Sequence, residues 1–175
     1  ILDREKLLEC MPKNAVVAEI GVNQGEFSQQ IIGICKPKKL HLIDSWHTER
    51  YRDALSLEVE NKFSQEISNG QIKINRGLST EVVDEFSDKY FDWVYIDTSH
   101  DYITTKAELE KYSKKLKDGG ILAGHDYTMG NWIKMYKYGV IDAVHEFCVN
   151  NDWELIFLTI DSIENQSFVI RKIIY

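Results

Sequence analysis

Six residues able to hold a cation, carry a proton or accept hydrogen bonds stand at or just past the ends of apolar runs: Glu19, Asp44, Asp97, His100, His125 and Asp126. Carboxylates accept hydrogen bonds and bind hard cations, and an imidazole that titrates near neutral pH can take up a proton. Any one of the six, taken alone, is as readily a helix cap or a loop residue. Six on one rim point to a site. The first belongs to the run Ala18-Glu19-Ile20-Gly21-Val22-Asn23-Gln24-Gly25-Glu26-Phe27-Ser28, which reads as a buried strand ending in a glycine turn that opens a helix. Gly21 and Gly25 let that turn be tight and bring backbone close to a ligand. The residues after Gly25 are Glu26, Phe27 and Ser28 rather than Lys followed by Ser or Thr, so the turn is not a phosphate cradle of the P-loop kind. Glu19 would repel a polyphosphate and suits a cationic amino-acid moiety.

The elements that must position these residues follow from periodicity. Strands are expected over 15–20, 40–44, 71–75 and 92–97, a fifth from Ile121, and two more over 155–160 and 168–174. Helical spacing covers 26–35, 51–68, 80–88, 104–116 and 140–149, with Asp118-Gly119-Gly120 as the stop after the fourth of these. Regular alternation of strand and helix predicts an α/β, doubly wound, mostly parallel seven-stranded sheet in one domain spanning 1–175. The last two strands lie too close in sequence for a crossover helix and should form an antiparallel terminal hairpin. In such a sheet ligands bind beyond the carboxyl ends of the strands, where the strand order reverses.

With 175 residues, 43% hydrophobic and 28% charged, the chain can bury a core of its own, and its formal charge of -7 argues against a non-specific grip on nucleic acid or anionic lipid. Cys10, Cys35 and Cys148 are odd in number and lack metal-ligand spacing, which predicts buried or partly buried thiols in a reducing, cytoplasmic compartment. No 18-residue apolar run is present, and the amphipathic start lacks a signal-peptide core. The chain begins at Ile1, which leaves room for a preceding leader.

Glu19-Ile20-Gly21 through Gly25 resembles the first motif of class I S-adenosylmethionine-dependent methyltransferases, with Asn23 in place of that motif's middle glycine. The resemblance implies a Rossmann-like fold and S-adenosylmethionine as cofactor. It places Glu19, Gly21, Asn23, Gly25 and the turn containing Gly77 and Ser79 around the cofactor, with Asp97 beside it. Asp44 becomes the acid that holds the ribose hydroxyls, expected to matter more for cofactor than for folding, and Trp46 a cover for an adenine face. Tyr95-Ile96-Asp97-Thr98-Ser99-His100-Asp101-Tyr102 and Gly119-Gly120-Ile121-Leu122-Ala123-Gly124-His125-Asp126-Tyr127 are similar, more narrowly, to macrocin O-methyltransferase-like proteins, whose usual glycine is here Thr98.

Metal-dependent relatives bind magnesium through acids matching Asp97 and Asp126, although Tyr127 follows where another oxygen ligand often stands. His100 or His125, with Asp97, would then serve proton transfer, and the histidines also admit zinc or iron. The implied reaction is methyl transfer to a hydroxyl of a small molecule, a sugar or natural product, with no nucleic-acid or membrane partner and homo-oligomerisation left open. Asn23, Thr98 and Tyr127 keep a competing reading alive, a non-catalytic cofactor-binding or interaction domain. A nicotinamide dehydrogenase lacks support because the three-glycine fingerprint is absent, and a nucleic-acid methyltransferase because no basic track is visible.

Overall fold

The runs over 16–20, 39–44 and 91–96 are almost wholly buried and pair side by side, covered on both faces. A computed structural model describes residues 1–47, 53–160 and 164–174. Its elements are α1 (Arg4–Cys10), β1 (Val16–Ile20), α2 (Glu26–Gln30, continued as a π turn over Ile31–Cys35), β2 (Lys39–Asp44), α3 (Asp53–Lys62), α4 (Ser64–Ser68), β3 (Ile72–Arg76), α5 (Ser79–Val82), β4 (Phe91–Ile96), α6 (Tyr102–Tyr112), β5 (Leu116–Gly124), β6 (Gly130–Asn131), β7 (Tyr136–Lys137), α7 (Val140–Asn151), β8 (Trp153–Leu158) and β9 (Phe168–Lys172).

Seven strands form one sheet in the order β3-β2-β1-β4-β5-β9-β8. The first five are parallel, and β9 runs antiparallel to both β5 and β8. The expected doubly wound sheet and terminal hairpin are both present, with the later strand of the hairpin placed inward. Side chains alternate across the sheet as the two-residue period of a strand requires. Ala18, Ile20, Val94 and Ile96 join Leu109, Tyr112, Val144 and Phe147 on one face. Val17, Trp93 and Tyr95 join Leu7, Leu8, Ile31, Leu42 and Val59 on the other. No helix among the described residues is long and apolar enough to cross a membrane.

Three expectations change and one element is new. The helical tract predicted from residue 51 breaks at Phe63, whose backbone leaves the helical region while its ring is buried; residues 51 and 52 lie outside the described ones. Asp118-Gly119-Gly120 does not stop a helix but lies within β5, which starts at Leu116 after a short 3-10 turn over Ser113–Lys115. A Cβ on Gly120 would stand 2.9 Å from the Lys117 carbonyl oxygen and 3.1 Å from that of Asp92, so a side chain there would force the backbone to shift. The two-stranded ribbon β6–β7 carries no periodic signal in the sequence. Cys10 is exposed rather than buried, because the inward face of α1 is taken by Leu7 and Leu8.

The reversal of strand order falls between β1 and β4, and Gly21 sits at that point with φ +86°. A Cβ there would lie 1.8 Å from the Asp97 carbonyl oxygen, against a backbone that has no room to yield. Gly21→Ala should therefore lower unfolding free energy by at least about 2 kcal/mol in a urea titration; an unchanged midpoint would mean that the two strand ends are not in contact.

Candidate functional site

A cavity of about 520 Å³ opens at the carboxyl ends of β1, β2 and β4, lined by Arg4, Glu19, Gly21, Asn23, Asp44, Gly77, Ser79, Asp97, His100 and Glu108 among others. Glu19, at the end of β1, is 1% exposed and accepts a 2.5 Å hydrogen bond from Ser28 Oγ. Burial pushes its carboxyl up to about 8, with the negative charges of Asp97 and Asp44 acting in the same direction against Arg4.

Asp44 ties the end of β2 to the glycine turn. Its Oδ2 accepts from the Val22 and Asn23 backbone N–H groups at 2.8 and 3.0 Å, and its Oδ1 from that of Trp46 at 2.9 Å. Asp44 was expected to matter more for cofactor than for folding, and these bonds give it a folding role as well, since its removal leaves three backbone donors without their acceptor. Asn23 takes the place of a glycine at φ +52°, in the left-handed region that asparagine tolerates. Trp46 is corrected: its ring is 1% exposed, belongs to the core with Val22, Val59 and Phe63, and donates Nε1–H to the Asn23 carbonyl. A ring so enclosed presents no face to the cavity. Gly25 does not line it either; it opens α2 at φ +73° and faces the Phe63 ring.

His100, at φ +61°, places Nε2 3.1 Å from Asp97 Oδ1 and 2.8 Å from Asp126 Oδ2. Burial lowers the imidazole's affinity for its proton, but the two carboxylates outweigh it and push the pKa up to about 9. Burial works against ionisation of Asp126, yet His100 and His125 hold it well below the usual carboxylate range. The side-chain amide of Asn165 also donates to Asp126 Oδ1. Asp97, His100 and Asp126 offer one donor atom each within 4.8 Å of one another.

His125 is corrected as a base facing the cavity. Its side chain is 11% exposed, Nδ1 lies 3.5 Å from Asp126 Oδ2, and Nε2 is buried without a partner among the described residues, beside a separate void of about 10 Å³. His125 and Asp126 sit behind His100, so four of the six rim residues meet the cavity and two support it. Tyr127 turns its hydroxyl to His145 and adds nothing to the cluster.

Two residues enter that motif reasoning missed. Arg4, from α1, donates Nε–H to Glu164 at 2.6 Å, lies 3.9 Å from Asp97 Oδ2 and stacks over the Phe27 ring. Nothing local marks an arginine 15 residues before Glu19 as its neighbour. Glu108 is fully buried and accepts from Ser79 Oγ at 2.5 Å and Thr98 Oγ1 at 2.9 Å. A signal for it existed: with Thr105, Leu109 and Tyr112 it falls on the inward stripe of α6.

Residues 18–127 match the sequence pattern of a family described as a methyltransferase domain, more than half the chain and the stretch that builds most of the cavity. The chain belongs to this methyltransferase domain family. No curated protein matches it in sequence. Among solved structures it is similar to the pyocyanin biosynthetic protein PhzM (8% identity, TM-score 0.73, covering 97% of this chain and 54% of that one). It is also similar to a putative caffeoyl-CoA O-methyltransferase from Staphylococcus aureus (18%, 0.70, 98% and 85%). A third is the O-methyltransferase TomG from Streptomyces achromogenes, solved in complex with SAM (13%, 0.70, 95% and 78%). At these identities the likeness is one of fold, and the chain spans about half the length of PhzM. In this methyltransferase domain Arg4 lies outside the matched stretch, so the cavity draws one wall from a segment the family pattern does not cover.

Glu108 yields a test of the site's electrostatics. Burial pushes its carboxyl from 4.5 up to about 7, so between those pH values the folded chain keeps a proton that the unfolded chain has lost, and stability falls as pH rises. Glu108→Gln carries no charge to bury. Its melting temperature relative to wild type should climb between about pH 5 and pH 8; a constant difference would show that Glu108 is ionised throughout.

Proposed function

We propose that residues 1–175 act as one domain that transfers the methyl group of S-adenosylmethionine to a hydroxyl of a small molecule, a sugar or natural product. The observation that carries this reading is the coincidence of the family match, 18–127, with the residues around the cavity. The chain's charges suit that cofactor. Glu19 is held neutral by burial, and an ammonium brought against it would draw its pKa down and restore the carboxylate, favouring a cationic amino acid. Arg4, the guanidinium in the same cavity, suits the matching carboxylate. The lone pairs Asp44 has left can accept from ribose hydroxyls, while Gly21, Asn23, Gly77, Ser79 and Asp97 supply the remaining walls.

The Asp97, His100 and Asp126 donors fit a divalent cation, with two carboxylate oxygens and one nitrogen converging. Magnesium is the expected ion, and the nitrogen donor also suits manganese, iron or zinc. When bound, such an ion polarises the acceptor hydroxyl and favours its ionised form. An ion on Nε2 would leave that lone pair unable to take a proton, so proton transfer by His100 belongs to the ion-free site, where the ring faces the cavity and its Nε2 is where the hydroxyl proton can be held. At neutral pH it keeps a proton between the two acids, so proton abstraction draws on the neutral minority. Asp97 and Asp126 are positioning residues for that ring. The three free cysteines suit a reducing cytoplasm.

Calorimetric titration with S-adenosylmethionine tests the reading directly. Wild type should bind, and Asp44→Ala should bind at least about tenfold more weakly while also melting earlier, because cofactor contacts and turn contacts are lost together. Absence of binding by the wild type would leave a fold without this function and favour the non-catalytic module.

The metal is tested separately with manganese and magnesium. Asp126→Asn should weaken binding by about tenfold or more, and transfer to hydroxylated small molecules should fall when EDTA is present. Transfer indifferent to EDTA would assign the chemistry to His100 without an ion.

A further inference from the structure

The net charge of -7 is not spread evenly. Between Asp126 and Asp142 the sequence reads Tyr127-Thr128-Met129-Gly130-Asn131-Trp132-Ile133-Lys134-Met135-Tyr136-Lys137-Tyr138-Gly139-Val140-Ile141, with two lysines and no acid. This segment forms the ribbon β6–β7. Gly130 pairs with Lys137 and Asn131 with Tyr136, and the Asn131 side chain accepts the Lys134 N–H at 3.0 Å across the turn. The turn holds its apolar side chains away from the body of the protein. Trp132 is 69% exposed, Ile133 96% and Met135 87%. Lys134 and Lys137 are exposed among them.

Large apolar side chains gathered on one protruding turn are disfavoured in water, and a partner that removes them from it is the usual reason for such a group. The charges say which partner. An indole at the boundary between hydrocarbon and water, with lysines reaching outward to anionic headgroups, is the composition of a segment that lies in a lipid interface. An acid-free, lysine-bearing tip on an otherwise acidic chain also turns that end toward an anionic surface and the remainder away from it. We propose that the β6–β7 ribbon docks this protein on an anionic lipid surface, with Trp132, Ile133 and Met135 entering the interface and Lys134 and Lys137 pairing with headgroups.

The ribbon is joined to the candidate site at both ends. It begins four residues after Asp126, the Gly139 N–H donates to the His100 carbonyl at 2.8 Å, and the Tyr138 ring lies 4.9 Å from that of His100. Docking therefore occurs beside the acid–histidine cluster. The proposal revises the expectation of no membrane partner, and it does not depend on the methyl-transfer reading.

Vesicles of phosphatidylcholine, alone or with equimolar phosphatidylglycerol, are the probe. Wild type should co-sediment with the mixed vesicles and scarcely with the neutral ones. Lys134→Glu with Lys137→Glu should weaken the association by roughly thirtyfold or more. Trp132→Ser with Ile133→Ser and Met135→Ser should abolish it, with circular dichroism confirming that both variants remain folded. A measurement on the wild type alone uses the burial of the other three tryptophans, Trp46, Trp93 and Trp153. Brominated phosphatidylcholine in mixed vesicles should quench Trp132 selectively, with a blue shift of its emission. No co-sedimentation, no quenching, or variants that bind as wild type does would overturn the proposal. So would a wild-type dimer that the serine variant dissolves and vesicles leave intact, since the ribbon would then belong to a second copy of the chain.

Discussion

The close approach of β1 and β4 at Gly21 is the constraint on which the site depends. The Asp97 N–H donates to the Ile20 carbonyl at 2.8 Å, and the Gly21 N–H donates to that of Ile43 at 2.9 Å. One residue without a side chain thus holds three strand ends together. Beyond that point the chains leaving β1 and β4 diverge to opposite faces of the sheet, and the space between them is the cavity. A side chain at position 21 would separate Glu19 and the glycine turn from Asp97 and the cluster that follows it.

Around this constraint the polar groups divide between support and exposure. Asp44 commits hydrogen bonds to the turn it faces, Ser28 donates to Glu19, and Ser79 and Thr98 donate to Glu108. Burial keeps the carboxyls of Glu19 and Glu108 protonated closer to neutrality than an exposed acid would be. Asp126 is the reverse case, its charge held by His100 and His125. One rim therefore contains carboxyls kept neutral by missing solvent and a carboxylate kept charged by imidazoles. A cationic ligand satisfies the first kind, and a metal ion can stand in for the proton of the second.

The ribbon β6–β7 follows a different logic. The sheet and its helices bury apolar residues at strand and helix periods, whereas the ribbon fixes apolar residues outward on a short turn capped by Asn131. Gly130 makes this possible, because a Cβ there would lie 2.4 Å from the Tyr136 carbonyl oxygen across the pair. The ribbon's C-terminal end is tied to the site through the Gly139 N–H, which donates to the His100 carbonyl at 2.8 Å.

Local chemistry was enough to read the sheet from the sequence. Val16 to Ile20 and Phe91 to Ile96 are apolar on both faces and admit only a covered strand, and Gly21 is legible because a turn after such a strand needs positive φ. Glu19, Asp44, Asp97 and His100 were legible for the same reason, since a polar residue ending a buried strand projects from the carboxyl edge. Trp46 and His125 were misread because adjacency in sequence does not say which side of the backbone faces the cavity. The core takes the indole, and His100 stands in front of the second imidazole. Arg4 was invisible because α1 reaches the site only through the packing of Leu7 and Leu8. The sequence by itself determined the strands, the reversal point and the acids at their ends, all of which depend on neighbours a few residues apart. Only the tertiary structure decided which of them share a cavity and which titrate together, because distance and burial between remote segments are set by packing.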